Sequence, residues 1–147
     1  MKLENRCLVP ASMDKAWALL LDIPQVAPCI PGVQDVESDG ENQFKAVMQV
    51  RVGPVRLNFS GSINILEQDR EKGEAHFHVE AADRKAGGSI RADMTMQLNE
   101  LSADESELVI VTDTVFMGKI GELGQPIIRR KAKSTLEDFA KNLAKQV

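Results

Sequence analysis

The chain has no tyrosine, one tryptophan, two cysteines and two histidines among its 147 residues. Each scarcity removes a class of function. Without tyrosine, no phenol is available as a general acid or nucleophile. Cys7 and Cys29 match neither a zinc-ligand spacing nor a CxxC motif, which argues against a metal finger and a thioredoxin-like redox centre. No apolar run approaches the ~18 residues of a membrane span. Pro10 and Asp14 interrupt the first apolar stretch, so it does not read as a signal peptide. Positive charge is in deficit, with 18 Lys and Arg against 22 Asp and Glu and a net charge of −4. That balance argues against a general nucleic-acid binder. Repeats, low-complexity segments and linkers are absent as well. The expectation is one cytoplasmic domain spanning residues 1–147, with reduced thiols, no metal and no cofactor.

What is present is patterned apolar residues, 43% of the chain. Residues 2–9 (KLENRCLV) read as a strand ended by Pro10. Ser12 is a suitable N-cap, with Asp14 in the first turn, and Ala16, Trp17, Leu20 and Leu21 form one helical face. Pro24 suits the first turn of a second short helix, which Pro31-Gly32 must end. The period then changes to two. Phe44, Ala46, Met48, Val50 and Val52 alternate with polar neighbours, as do Leu57 to Ile65, Ala75 to Ala81 and Ile90 to Leu98. Such strands have one apolar and one wet face, as in antiparallel sheets. Turn residues at Asp39-Gly40, Gly53-Pro54, Lys72-Gly73, Gly87-Gly88 and Ala103-Asp104 separate them. Residues 106–117 form a further strand, apolar on both faces at Val109 and Val111.

Period 3.6 returns at the end. Leu123, Ile127, Ile128, Ala132, Leu136, Phe139 and Leu143 fall on one stripe of a long amphipathic helix from about residue 125, preceded by a short helical turn near 119–123. This helix is the element long enough to cover the apolar face of the sheet. The predicted class is α+β: a curved antiparallel sheet of about seven strands wrapped on a long C-terminal helix, with two short helices after the first strand. That is a helix-grip arrangement, which can leave a cavity between sheet and helix.

Three stretches carry a family resemblance: VPASMDKAWALLLDIPQVAPCIPGV, VRVGPVRLNFSGSINI and VFMGKIGELGQPIIRRKAKSTLEDFAKNLA. The sequence resembles the CoxG family of carbon monoxide dehydrogenase proteins, within the START/Bet v 1-like (SRPBCC) superfamily, from about residue 3 to residue 145. The most specific pieces are Pro10-Ala11 with Trp17, Cys29-Ile-Pro-Gly32, Val52-Gly-Pro54, Phe59-Ser-Gly61 and the glycine-rich 118–124. The resemblance implies a hydrophobic ligand cavity and an accessory role beside a molybdenum hydroxylase of the carbon monoxide dehydrogenase type. It also implies membrane recruitment and the handling of a quinone. Many family members carry an extra C-terminal tail that reaches a membrane. This chain stops at Val147, so at most weak peripheral contact with the inner face of a membrane is expected.

Several motifs invite chemistry and have plainer readings. Cys29, in VAPCIPGV, follows a helix C-terminus where the dipole disfavours a thiolate, so it is a small apolar plug at the cavity mouth. His76, His78 and Glu80 share the wet parity of their strand and should face away from the cavity. The spacing Gly118-x-x-Gly121-x-x-Gly124 is not a phosphate-binding fingerprint and reads as a packed corner, with a gate as the functional alternative. The run Arg129 to Lys133 is a solvated helix side and the densest positive patch, suited to an acidic partner surface or anionic lipid.

The leading expectation is a non-enzymatic protein holding a hydrophobic small molecule. Its ligand-binding residues would be Met48, Val50, Leu57, Phe59, Phe77, Met94, Met96, Thr112, Thr114 and Phe116, with Ile128 and Leu136 from the helix. Thr112 and Thr114 would aim two hydroxyls into an apolar interior, where each needs a partner. No catalytic residue is assigned. The alternatives are a cyclase- or hydrolase-like enzyme on the same fold and a docking adaptor without ligand.

Overall fold

Ser12 starts the first helix as its residue type suggests, its Oγ accepting from the Lys15 N–H at 3.2 Å. The computed structural model describes all of residues 1–147. Strand β1 (Lys2–Val9) leads into α1 (Met13–Leu21), α2 (Ile23–Val26) and a 3₁₀ turn (Ala27–Cys29). Six strands follow: β2 (Val33–Ser38), β3 (Gln43–Val52), β4 (Val55–Asp69), β5 (Glu74–Asp83), β6 (Gly88–Ser102) and β7 (Glu105–Gly118). A second 3₁₀ turn (Lys119–Leu123) precedes α3 (Gln125–Ala144).

The seven strands form one antiparallel sheet in the order β1-β7-β6-β5-β4-β3-β2. The crossover through α1 and α2 puts β1 and β2 on opposite edges. Helix α3 packs on β1, on the first 3₁₀ turn and on β3. It therefore spans from one flank of the sheet to the other rather than lying along one strand. Arg129 Nη1 donates to Lys2 O at 3.0 Å at one end, and Asn142 Nδ2 to Cys29 O at 2.9 Å at the other.

The sheet has to bend sharply to wrap the helix. At Gly61 on β4, a Cβ would overlap the Glu80 carbonyl and press on Ala81, so only glycine lets β4 and β5 come this close. A bulge between Ile65 and Glu67 turns Leu66 outward, leaving it 60% exposed. A second irregularity, between Gln34 and Glu37, holds Asp35 at φ 41° and shortens the regular pairing of edge strand β2.

The buried interior is in two parts. The larger cluster joins α1, α2 and the first 3₁₀ turn to Ile65, Phe77, Met96, Leu98 and Leu108 of the sheet and to Phe139 and Leu143 of α3. The smaller comprises Val52, Leu57, Phe59 and Ile120, edged by Met48, Val50, Phe116, Leu123 and Ile127. Val26, Ala27 and Cys29 belong to the larger cluster, and Cys29 is buried there as the small apolar plug expected of it. The prolines and glycine of VAPCIPGV serve packing: they turn the chain so that the Gly32 carbonyl accepts from Gln49 N at 2.9 Å and β2 starts in register.

Gly32 sits at φ +88°, and a Cβ there would run into the backbone carbonyl of Gln49. Gly87 sits at φ +74° with open space around it. Gly32→Ala is expected to cost about 3 kcal/mol or more, and Gly87→Ala only about 1 kcal/mol from backbone strain. Urea unfolding of the two variants checks this. Equal losses would mean that the Gln49 contact does not anchor the corner.

Candidate functional site

Alternate side chains of the strands point to the inner face, and the pairing registers fix which ones meet. Three rows cross the centre of this inner face. Thr112, Met94, Phe77 and Ile65 form one, Thr114, Ala92, Val79, Ile63 and Phe44 the next, and Phe116, Ile90, Ala81, Gly61 and Ala46 the third. The twelve residues expected to bind ligand occupy inner positions of the sheet or the inward stripe of α3. Leu57, Phe59, Phe77, Met96, Thr114 and Ile128 are buried, while Met48, Val50, Met94, Thr112, Phe116 and Leu136 are half-buried. Leu57 and Phe59 lie in the smaller cluster, and Phe77 and Met96 in the larger.

The inner face offers little to acid–base chemistry. Its buried carboxylate, Asp83, is fully engaged: Oδ2 accepts from Asn58 N at 2.7 Å, and Oδ1 from Lys85 N and Ala86 N at 3.0 Å each. These backbone donors, Ala86 first, hold its pKa below the usual carboxylate range. Asp83 therefore fastens the β5–β6 turn to β4. Sequence periodicity missed this role, because an Asp before a turn looks like ordinary turn chemistry. Burial pushes the Cys7 thiol up to about 11 and raises Cys29 as well, so neither supplies a thiolate at neutral pH.

His76, His78 and Glu80 point to the outer face. His78 Nδ1 meets Asp93 at 2.8 Å and Nε2 meets Glu80 at 3.1 Å, and Arg91 Nε reaches the same Glu80 oxygen at 3.2 Å. The carboxylates approach opposite ring nitrogens, so they cannot share one ion with the imidazole. Also on the outer face, an open trough of about 650 Å³ crosses β3 to β6, lined by Lys45, Val47, Ser60, Ser62, Glu80 and Arg91 among others. None of the twelve expected ligand residues lines it.

Charge is divided between the two ends of the sheet. The β3–β4, β5–β6 and β7–α3 connections and the first turns of α3 bring together Arg51, Arg56, Arg84, Lys85, Lys119, Arg129 and Arg130, with Glu122 as the exposed acid among them. Arg51 and Arg56 are directly opposite each other across the hairpin, an arrangement of like charges that costs stability. None of these seven cations is in an ion pair. The opposite end carries Asp39, Glu41, Asp69, Glu71, Asp104 and Glu105 in its turns. An acidic protein thus has a basic end, and the smaller core cluster lies beneath it.

A curved seven-stranded antiparallel sheet gripping a C-terminal helix defines a START/Bet v 1-like fold. A conserved protein from Geobacillus kaustophilus superposes with a TM-score of 0.89 at 20% identity, over 99% of this chain and 94% of that one. A START superfamily protein from Mycobacterium smegmatis gives 0.69 at 15%, over 99% and 96%. The Zhui aromatase/cyclase from Streptomyces sp. R1128 gives 0.69 at 14%, over 99% and 92%. Comparison by sequence with curated proteins finds no match. The family model for CoxG, the G subunit of carbon monoxide dehydrogenase, matches residues 6–147, and the chain belongs to that family.

The outer-face network gives a pH-dependent expectation. Hydrogen bonds that the protonated ring donates to Asp93 first and to Glu80 next raise the His78 pKa above its ordinary 6.5. A raised folded-state value means that the network stabilises the protein fully below the unfolded value and loses that contribution as pH rises through the folded one. The melting temperature of His78→Gln should fall short of wild type near about pH 6 and converge with it by about pH 9. A gap that widens with pH would contradict the assignment.

Proposed function

We propose that this protein is a non-enzymatic carrier that holds a hydrophobic small molecule, a quinone in the favoured case, between its sheet and α3. In this reading it serves a molybdenum hydroxylase of the carbon monoxide dehydrogenase type. The observation that carries the reading is the inner face itself. It is apolar, it is not consolidated into one core, and its carboxylate is committed to three backbone donors. Half-buried Met48 and Met94 there are flexible enough to follow the outline of an elongated apolar guest.

The rival reading is a cyclase-like enzyme, which the likeness to the aromatase/cyclase brings forward. That likeness is one of fold. General acid–base catalysis needs a titratable group facing the guest, and Asp83, Cys7 and Cys29 are each unavailable for the reasons above. The basic end is the face we assign to contact with a partner's acidic surface or with anionic lipid. Lipid contact would be peripheral, on the order of 1 kcal/mol per basic residue near the surface, and screened at high salt. No helix is long and apolar enough to cross a membrane.

Native mass spectrometry of freshly purified protein tests the carrier reading. The expected result is a bound lipid-soluble molecule that denaturation releases, retained in Cys29→Ser and in His76→Ala with His78→Ala. Protein that always appears at its bare mass and takes up no added quinone would instead support a docking adaptor.

A further inference from the structure

Thr114 stands apart from every other polar side chain in the protein. Its residue is 3% exposed, and its Oγ1 is a buried side-chain atom with no hydrogen-bond partner. The other buried hydroxyl, on Ser106, donates to Ala11 O at 2.9 Å. The Thr114 backbone is satisfied, with N donating to Met1 O at 2.8 Å and O accepting from Met1 N at 2.7 Å. Only the hydroxyl is left over. A buried hydroxyl without a partner costs about 1–3 kcal/mol, which an acceptor brought to it would offset.

Its surroundings are as informative as the atom. Parity puts the Thr114 side chain on the inner face, opposite Ala92. Both residues are buried, and register sets their row between that of Phe77, in the larger cluster, and that of Phe116, which edges the smaller. They occupy the seam between the two. The adjacent row toward the basic end contains Ala46, Gly61 and Ala81. Ala92, Ala81, Gly61 and Ala46 thus form a diagonal band of small residues, set among the larger Val79, Ile63, Ile90 and Phe116 of the same two rows. The band ends at β7 on one neutral hydrogen-bond donor, the Thr114 hydroxyl.

We infer that the seam is a ligand slot in which Thr114 Oγ1–H donates to a neutral acceptor oxygen, such as a carbonyl, on a flat apolar guest. This rests on the carrier reading and narrows it to a ligand class. One uncharged donor in an apolar slot matches a ketone or quinone oxygen. It does not match a carboxylate, whose charge would be desolvated with no cation among the seam residues. Fatty acids are therefore poor guests, and a purely hydrocarbon guest binds without anchorage.

The test compares three probes of one shape: fluorenone, with a carbonyl; fluorene, with a methylene in its place; and fluorene carboxylate. Each is titrated by calorimetry into wild type, Thr114→Val, which keeps the shape and removes the hydroxyl, and Thr114→Ser, which keeps the hydroxyl. Wild type is expected to bind fluorenone about five- to tenfold more tightly than fluorene and to bind the carboxylate most weakly. Thr114→Val should lose the preference for the carbonyl while binding fluorene unchanged or more tightly, and Thr114→Ser should restore the preference. Equal affinities for fluorenone and fluorene in wild type, or a carbonyl preference that survives in Thr114→Val, would overturn the anchor while leaving the carrier reading in place. Failure of wild type to bind either neutral probe would overturn the carrier reading itself.

Discussion

One helix has to cover one face of a seven-stranded sheet. At ~3.3 Å per residue the 15-residue strands β4 and β6 run about 50 Å, whereas the 20 residues of α3 span about 30 Å. The sheet is also several helix diameters wide. A flat sheet would leave most of its inner apolar surface in water. The sheet curls instead, and Gly61, the bulge after Ile65 and the irregular pairing of β2 follow from that requirement. So does the division of the interior. Helices α1 and α2 thicken the cover at one end, and at the other the cover is α3 and the Lys119–Leu123 turn alone.

A divided interior is a weakness in a protein whose task is only to be stable, because an unpaired buried hydroxyl costs free energy. In a carrier the same features are where a guest fits. The twelve inward residues, the small-residue seam and Thr114 belong to one face, and the charge distribution sets which end of that face meets other molecules. The cations at the β3–β4, β5–β6 and β7–α3 connections form no ion pair within the chain. Surface cations left this way are relieved by an external anion.

Much of the fold was legible because periodicity is a local signal. The alternation in β3, β4, β5 and β6, the Ser12 cap, the short turn before α3 and the outward direction of His76 and His78 all follow from neighbours within a few residues. Less legible were features that depend on what lies across the sheet. VAPCIPGV reads locally as a stiff corner, and nothing within it says that Asn142, far along the chain, closes onto Cys29 O. Asp83 reads as a turn residue, and its bond to Asn58 N depends on the β4–β5 pairing.

The sequence by itself determined the order of elements, the apolar and wet faces of each strand, the amphipathic stripe of α3 and the outward parity of the two histidines. These are consequences of residue type and spacing, which act within one element. Tertiary structure alone decided that the interior has two clusters, that the Thr114 hydroxyl is buried between their rows without a partner, and that seven cations from separate connections share one end. Those outcomes depend on strand register and sheet curvature. Register is set by how all the strands pair at once, and curvature by how much surface one helix can cover.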